Sequence, residues 1–211
     1  MIDKKALRKD VRSKIAALDE SYINESNGGI YKVLTSMPEF MTAPTIFAYY
    51  SVGREVDTLK IIELALELGK NVALPIAMPE GRMEYALIET AEDEFENSNL
   101  NIPEPTADAE RVSPAAGDLL LVPAVCFDLD GYRLGQGGGY YDRYLAACPA
   151  FTLGLGRHNL LMREVPREIH DLPAKCLITE RGIIKRYRER KQDGSCGGHN
   201  HEDGVCGCGK E

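Results

Sequence analysis

Tryptophan is absent from this chain, long apolar runs are absent, and positive charge is in short supply. The longest apolar stretches, such as LLLVPAVCF (119–127), reach less than half of the about 20 residues that a membrane-spanning helix needs, so no membrane partner is expected. The first residues, MIDKKALRKDVRSK, hold no apolar core and no small-residue cleavage site, which argues against a secretory signal and for the cytoplasm. Lys and Arg number 25 against 33 Asp and Glu, a formal net charge of −8. The last nineteen residues contain four acids and one lysine, which leaves −5 on the remainder. Nucleic-acid binding draws most of its affinity from Lys and Arg, so no nucleic-acid partner is expected either. A small anion stays within reach if the few cations converge. Cys126, Cys148 and Cys176 stand singly among apolar residues, as reduced core thiols do and disulfide frameworks do not.

What is present is an alternation of helix and strand patterns. Leu7, Val11, Ile15 and Leu18 recur at helical spacing within 2–18, and Lys4, Arg8 and Arg12 line one edge at four-residue steps. A second helix is expected over 20–36, interrupted or weakened by Gly28-Gly29. TIFAYY (45–50) has the β-branched and aromatic content of a buried strand. Asp57 is placed to cap a helix through TLKIIELALEL, and Gly69 to end it. NVALPIA (71–77), MEYALI (83–88), FTLGLG (151–156) and KCLITE (175–180) read as further strands, and 89–117 as mostly loop. DLLLVPAV (118–125), apolar throughout, reads as a central strand covered on both faces. The pattern predicts a single α/β domain over residues 1–190, with a mainly parallel sheet and helices on both sides. Residues 191–211 are Gly-rich and almost free of apolar side chains, and are expected to form a flexible tail.

The stretch YRLGQGGGYYDRYL (132–145) spends four glycines where ordering glycine is most costly. Glycines ahead of a helix let backbone N–H groups crowd an anion, and the helix N-terminus adds a partial positive charge. The dinucleotide pattern G-x-G-x-x-G fails, because Tyr140 stands where its last glycine belongs, and no Lys-Ser or Lys-Thr completes a P-loop. A tight turn without ligand and an anion cradle both fit the glycines. Asp142 fits either a favourable charge in the first helical turn or a hard oxygen ligand for magnesium. The edge formed by Lys4, Arg8 and Arg12 fits either a solvated face or a cluster that reaches phosphates.

Taken with its flanks, LVPAVCFDLDGYRLGQGGGYYDRYL (121–145) resembles the V-P-x-x-x-F-D-x-x-G-x-R-L-G-x-G-x-G-Y-Y-D stretch of the 5-formyltetrahydrofolate cyclo-ligases, also called methenyltetrahydrofolate synthetases. KKALRK (4–9), YYSVGREVDT (49–58), NIPEP (101–105) and HDLPAKCLITE (170–180) resemble further landmarks of that family, in its order. The resemblance spans about residues 3–180. It implies a three-layer α/β/α domain and a ligase of folate one-carbon metabolism that forms a C–N bond. Such an enzyme uses ATP and Mg²⁺ to convert 5-formyltetrahydrofolate to 5,10-methenyltetrahydrofolate, releasing ADP and phosphate. The formyl oxygen attacks the γ-phosphate, N10 then attacks the phosphorylated formyl carbon, and phosphate leaves as the ring closes. That chemistry needs positioning and charge neutralisation, not a covalent nucleophile.

By resemblance, ATP contacts fall at Lys4, Lys5, Arg8, Arg133, Leu134, Gly135, Gln136, Gly137, Gly138, Gly139, Tyr140 and Tyr141. Folate contacts fall at Arg8, Tyr50, Glu55, Gln136, Gly137, Gly138, Gly139 and Tyr140, and the Mg²⁺ position at Asp142. Two residues depart from the family pattern. Gln136 stands where many relatives have Arg, a loss of one cation worth about 1–3 kcal/mol unless another compensates. Lys175 stands where an Asp associated with metal is common, which removes a second magnesium ligand and offers a stand-in phosphate cation.

Cys196, His199, His201, Cys206 and Cys208 lie outside the resemblance and suit zinc or another transition metal, though their spacing matches no standard structural zinc pattern. Two other functions therefore stand beside the ligase: a relative that binds folate or nucleotide without turnover, and a metal-handling protein acting through the tail. Because Asp142 stands beside the glycine loop, Asp142→Asn is expected to lose most of the activity while the fold survives.

Overall fold

The computed structural model describes residues 3–90, 95–97 and 102–184. The expected tail, its Cys and His residues, and the boundary at 190 lie outside the described residues. The chain starts with three helices, α1 (Lys4–Ala16), α2 (Glu20–Thr35) and α3 (Pro38–Thr42), before β1 (Thr45–Phe47). Then come α4 (Leu59–Glu67) and the hairpin of β2 (Asn71–Met78) with β3 (Arg82–Ile88). Short strands follow at β4 (Phe95–Asn97), β5 (Pro103–Pro105) and β6 (Arg111–Val112). The remainder comprises β7 (Leu119–Val122), β8 (Cys126–Phe127), β9 (Arg133–Leu134), α5 (Tyr140–Leu145), β10 (Phe151–Leu155), β11 (Cys176–Thr179) and β12 (Gly182–Ile184).

The most apolar stretch takes a central place. Strand β7 is buried along its whole length and lies between β1 and β10 in an eight-stranded sheet of order β12-β11-β10-β7-β1-β2-β3-β6. The five strands from β11 to β2 are parallel, while β12, β3 and β6 add antiparallel edges. Strand alternation divides β7 between two cores. Leu119 and Leu121 join Ile30, Leu34, Phe40, Ile61 and Ile62 under α2, α3 and α4. Leu120 and Val122 join Phe47, Tyr85 and Leu145 on the opposite face, where α5 is the cover. Both faces are covered, as the continuous apolar run predicts, but unequally.

Helix α1 does not lie on the sheet. Its Leu7 and Val11 pack against Val125, Cys126, Leu134 and Val165, on the β8–β9 hairpin and the segment beyond it. That hairpin is absent from the sequence-based reading, which ran the central strand directly into the glycine turn. Strand β7 stops at Val122, and the glycines are delivered by β9, which pairs only with β8 (Cys126↔Leu134, Phe127↔Arg133). Two-residue strands carry too little periodicity to be read from sequence.

The connections from β1 run toward β2 on one side, whereas β7, β10 and β11 extend the sheet on the other. The order therefore reverses between β1 and β7. In open α/β sheets the crevice at the carboxyl ends of such strands is where ligands bind. Tyr49, Tyr50 and Glu55 follow β1 there, and Pro123 and Ala124 follow β7.

Helix ends are set largely as expected. The Asp57 carboxylate accepts the Leu59 N–H at 3.0 Å, and α4 closes with Gly69 N–H on Leu66 and Lys70 N–H on Ala65. The expected break at Gly28-Gly29 does not occur, because α2 is continuous from Glu20 to Thr35. Packing explains the second glycine. A Cβ at Gly29 would lie 2.7 Å from the Glu180 Cβ and 3.1 Å from its Cα, so only glycine lets α2 approach the turn between β11 and β12. Gly28 faces open space.

The two neighbours should therefore respond oppositely to the same change. Gly28→Ala is expected to stabilise the fold by about 0.5–1 kcal/mol through helix propensity. Gly29→Ala is expected to cost about 1–3 kcal/mol through overpacking. Urea unfolding midpoints of the two variants against the parent measure both.

Candidate active site

A cavity of about 370 Å³ opens at the strand-order reversal. The glycine segment Gly135–Gly139 forms one wall, Tyr49, Tyr50 and Glu55 another, and Pro75, Ala77 and Met83 of the β2–β3 hairpin a third. Lys4 and Arg8 reach it from α1, and Glu168, His170 and Asp171 from the segment before β11. Its lining is mostly apolar with a few convergent charges, the usual make-up of a small-molecule site.

A glycine segment has no side chains with which to hold itself, and here neighbouring cations hold it. Arg8 Nε donates to the Gly135 carbonyl at 2.8 Å. Arg143 Nη1 donates to the carbonyls of Gly138 (3.3 Å) and Gly81 (3.0 Å), which ties the loop to the β2–β3 turn. Arg12 Nη2 donates to Gln136 Oε1 at 2.6 Å. Gly137 and Gly139 have φ of 109° and 69°, so a side chain at either would be strained. Among the described residues, no protein acceptor takes the amides of Gln136, Gly137, Gly138 or Gly139. Four successive N–H groups are thus left for solvent or an anion.

The charges around this wall are arranged in pairs. Lys4 Nζ lies 2.7 Å from Asp171 Oδ2 and 2.9 Å from Glu168 Oε1. Burial works against the Lys4 ammonium, but its bonds to Asp171 and Glu168 outweigh this and raise its pKa. Burial likewise opposes the Asp171 carboxylate, and the Lys4 bond with the Glu168 N–H leaves its pKa lowered. Arg133, almost fully buried, donates one Nη to Asp142 Oδ1 and the other to the Leu172 carbonyl at 3.0 Å. Arg8 has no carboxylate partner among the described residues and gives its Nε to a neutral carbonyl. Arg8 is thus the cavity cation least neutralised by the protein.

Glu55 lies on the adjoining wall, beside Gln136. Burial holds its carboxyl above the usual range, against the lowering effect of hydrogen bonds from the Val52 N–H and the Gln136 side chain. Tyr141 is packed inside, its hydroxyl 3.3 Å from that of Tyr85, and burial raises its pKa too.

The structure brings together nearly all of the sequence-derived candidates: Lys4, Arg8, Tyr50, Glu55, every residue from Arg133 to Tyr141, and Asp142. Lys5 is the exception. It is exposed and off the cavity, because one helical residue rotates the side chain by about 100° away from Lys4. Lys175 is no stand-in phosphate cation, since its Nζ is held by the carbonyls of Ala150 (2.6 Å) and Pro149 (3.4 Å), away from the cavity. The residues that sequence reasoning missed are Glu168, His170 and Asp171. The signal available was EIHDLP (168–173), with two acids and a histidine in its first four residues ahead of a proline, at the edge of a segment read only as a family landmark.

The comparison with known proteins bears on the same residues. A model of the 5-formyltetrahydrofolate cyclo-ligase family matches residues 1–180. The chain belongs to that family. It is similar to a 5-formyltetrahydrofolate cyclo-ligase of Mycolicibacterium smegmatis, 34% identical over 66% of this chain and 76% of the relative. The cyclo-ligase of Escherichia coli K12 is 29% identical over 80% of this chain and 96% of its own length. Among solved structures, a 5,10-methenyltetrahydrofolate synthetase of Aquifex aeolicus superposes with a TM-score of 0.76 at 28% identity, covering 95% of this chain and 99% of that one. Family membership thus rests on nearly the whole described chain, the cavity included.

The geometry alters one expectation. Asp142 is the counter-ion of buried Arg133, so Asp142→Asn will not leave the fold untouched. It is expected to cost about 1–3 kcal/mol, less than a fully enclosed pair because the Asp142 side chain is 26% exposed. Chemical denaturation measures this, and an unchanged midpoint would show that the pair contributes nothing.

Glu55 supplies a pH test. Its raised pKa means that the folded chain holds the proton more tightly than the unfolded chain does. Its contribution to stability is therefore fully present below the ordinary carboxylate range and is lost as pH rises through the raised value. Glu55→Gln is expected to raise the thermal midpoint near about pH 7, with the gain shrinking toward about pH 4.

Proposed function

We propose that this protein is an ATP-dependent 5-formyltetrahydrofolate cyclo-ligase, forming 5,10-methenyltetrahydrofolate with release of ADP and phosphate. The observation that carries the reading is the row of four unpaired amides at Gln136–Gly139, set in a cation-bearing cavity of a chain from this family. The carbonyls of Gly135 and Gly138 are turned toward Arg8 and Arg143, and a trans peptide points its N–H the opposite way. The amides of Gln136 and Gly139 are thereby turned from those cations and left for phosphate oxygens.

In this reading the amides and Arg8 hold the terminal phosphates of ATP, with Lys4 and Arg133 near enough to share the charge. Tyr50 and Glu55 hold the folate on the adjoining wall. The formyl oxygen attacks the γ-phosphorus and ADP leaves. N10 then attacks the phosphorylated formyl carbon, and the C–O bond breaks to release phosphate as the C–N bond closes the ring. None of these steps asks a side chain to become a nucleophile, and the apolar walls exclude the water that would hydrolyse the activated formyl group.

Magnesium fits the site in a limited way. Among the described residues no group of three His, Cys, Asp or Glu side chains is spaced to hold a metal. Magnesium does not require one, because it retains waters and leans on substrate phosphates. Asp142, partly exposed to the cavity, would hold it. When bound, it neutralises charge on the transferring phosphoryl group. In this reading the reaction is cytoplasmic, the compartment that suits the free thiols of Cys126, Cys148 and Cys176.

Mixing the protein with ATP, Mg²⁺ and 5-formyltetrahydrofolate should give a near-ultraviolet rise from the methenyl product that needs all three. A flat trace would overturn the reading in favour of a relative that binds without turnover. Arg8→Ala should lower kcat/KM for ATP by roughly 10–100-fold, the loss of a charge-assisted contact to phosphate.

A further inference from the structure

Gln136 is the one residue of the glycine segment whose side chain bridges two other elements. Its Oε1 accepts from Arg12 Nη2 of α1 at 2.6 Å, and its carboxamide lies beside the Glu55 carboxylate in the turn after β1, near enough to lower that carboxyl's pKa. The orientation of the amide follows from chemistry. Guanidinium has no acceptor and an ionised carboxylate no donor, so the oxygen must face Arg12 and the nitrogen Glu55. A Glu at 136 would repel Glu55, a Lys or Arg would repel Arg12, and a Leu would bond to neither. Gln is the neutral side chain of that length that satisfies both. Glu55 is fixed further by the Val52 N–H on Oε2 at 3.1 Å and by Arg157, which donates to the Glu55 backbone carbonyl at 2.9 Å. The bridge is also a boundary. Glu55 and Gln136 line both the main cavity and a second one of about 230 Å³ behind it.

We propose that Gln136 is a positioning residue that acts through Glu55: its carboxamide ties Arg12 to the Glu55 carboxylate and sets the direction in which that carboxylate meets the folate substrate. The proposal rests on the reading of Glu55 as a folate contact. It separates the work of the segment, with the backbone of 136–139 serving phosphate and the side chain of Gln136 serving the other substrate. It also accounts for an uncharged residue within a phosphate-binding segment, since Arg12 brings its cation to the loop from α1.

The groups that face Glu55 are Arg12 through Gln136, Arg157 on its backbone, and the buried hydroxyls of Tyr49 and Tyr141, which both sense its charge. Tyr hydroxyls with raised pKa stay neutral through the working range, so the part of the acid limb that Glu55→Gln abolishes reports Glu55. The Gln136 bond lowers the Glu55 pKa, and its loss should move that limb to higher pH.

The test is steady-state kinetics on the full chain and on Gln136→Leu, Glu55→Gln and the double variant, with thermal unfolding to show that each folds. Gln136→Leu should raise KM for 5-formyltetrahydrofolate roughly 5–20-fold, as loss of a hydrogen bond to a charged group does, with KM for ATP within about twofold. The acid limb of kcat/KM should shift upward. In the Glu55→Gln background the same change should add little, because the two act as a unit. A rise in KM for ATP alone would overturn the proposal and make the side chain a direct phosphate contact. Equal losses in both backgrounds would overturn it as well. Absence of turnover in the parent chain would sink the cyclo-ligase reading and this inference with it, whereas a normal parent with an indifferent Gln136→Leu sinks this inference alone.

Discussion

A loop made of glycine cannot hold its own shape, and the site depends on how that shape is imposed from outside. Each glycine left free in the unfolded chain has more conformations to lose than any other residue. The cost is met by arginines that reach in from other elements and take the carbonyls: Arg8 on Gly135 and Arg143 on Gly138. Fixing a carbonyl fixes the following amide, because the peptide is planar. Arg8, which also lines the cavity, thus acts twice, once as a restraint on the loop and once as a cation of the site. Residues that look like independent phosphate contacts in the sequence are mechanically one assembly.

The same cavity is rich in acids, which accords with the net charge of the chain and would be self-defeating if those acids were free. They are not free. Glu168 and Asp171 hold Lys4, and Asp142 holds Arg133. A buried cation stripped of its partner costs several kcal/mol, so the pairs keep the site intact when no ligand is present. On the proposed reading, a polyphosphate carrying its own divalent cation exchanges both halves of these pairs at once, phosphate for carboxylate on the cations and metal for ammonium or guanidinium on the acids. A bare polyphosphate would have to displace carboxylates without rehousing them. On that reading the pairing would favour the metal complex over the free nucleotide without a dedicated metal cage.

Much of the fold was legible because periodicity reports the environment of an element. The uninterrupted LLLV of β7 announced a strand covered on both faces, and Leu7 and Val11 announced a one-sided helix. What periodicity cannot report is the partner. Nothing in α1 says that its apolar edge lies on the β8–β9 hairpin, and nothing in Gly29 says that Glu180 will pass 2.7 Å from its missing Cβ. The candidate site follows the same division. The glycine wall and its cations were legible as local patterns, but Lys4 meets Asp171 across 167 residues of sequence, and no spacing rule connects them. Asp142 was legible as an acid near a phosphate loop. Its attachment to Arg133 was not, because that depends on β9 turning its side chain under a six-residue helix.

The acid most openly displayed by the sequence, Asp128 in the F-D-x-x-G pattern, shows how architecture and site are joined. It is fully buried and its carboxylate takes four bonds: the N–H groups of Asp130 (3.0 Å), Tyr132 (3.0 Å) and Val165 (3.1 Å), and the Arg167 guanidinium (2.9 Å). Two of these close the β8–β9 turn, which swings the glycine segment out of the main sheet and against α1. The other two clamp the start of the segment that runs from Val165 to Asp171, with Arg167 stacked over Tyr132 at 4.0 Å. One residue later that segment presents Glu168, and three residues after that Asp171, to Lys4. A buried carboxylate that satisfies four donors leaves no capacity for chemistry, so Asp128 belongs to the scaffold. Its contribution to function is to hold two distant segments against α1, so that in the folded chain the loop meets its arginines and Lys4 meets its acids.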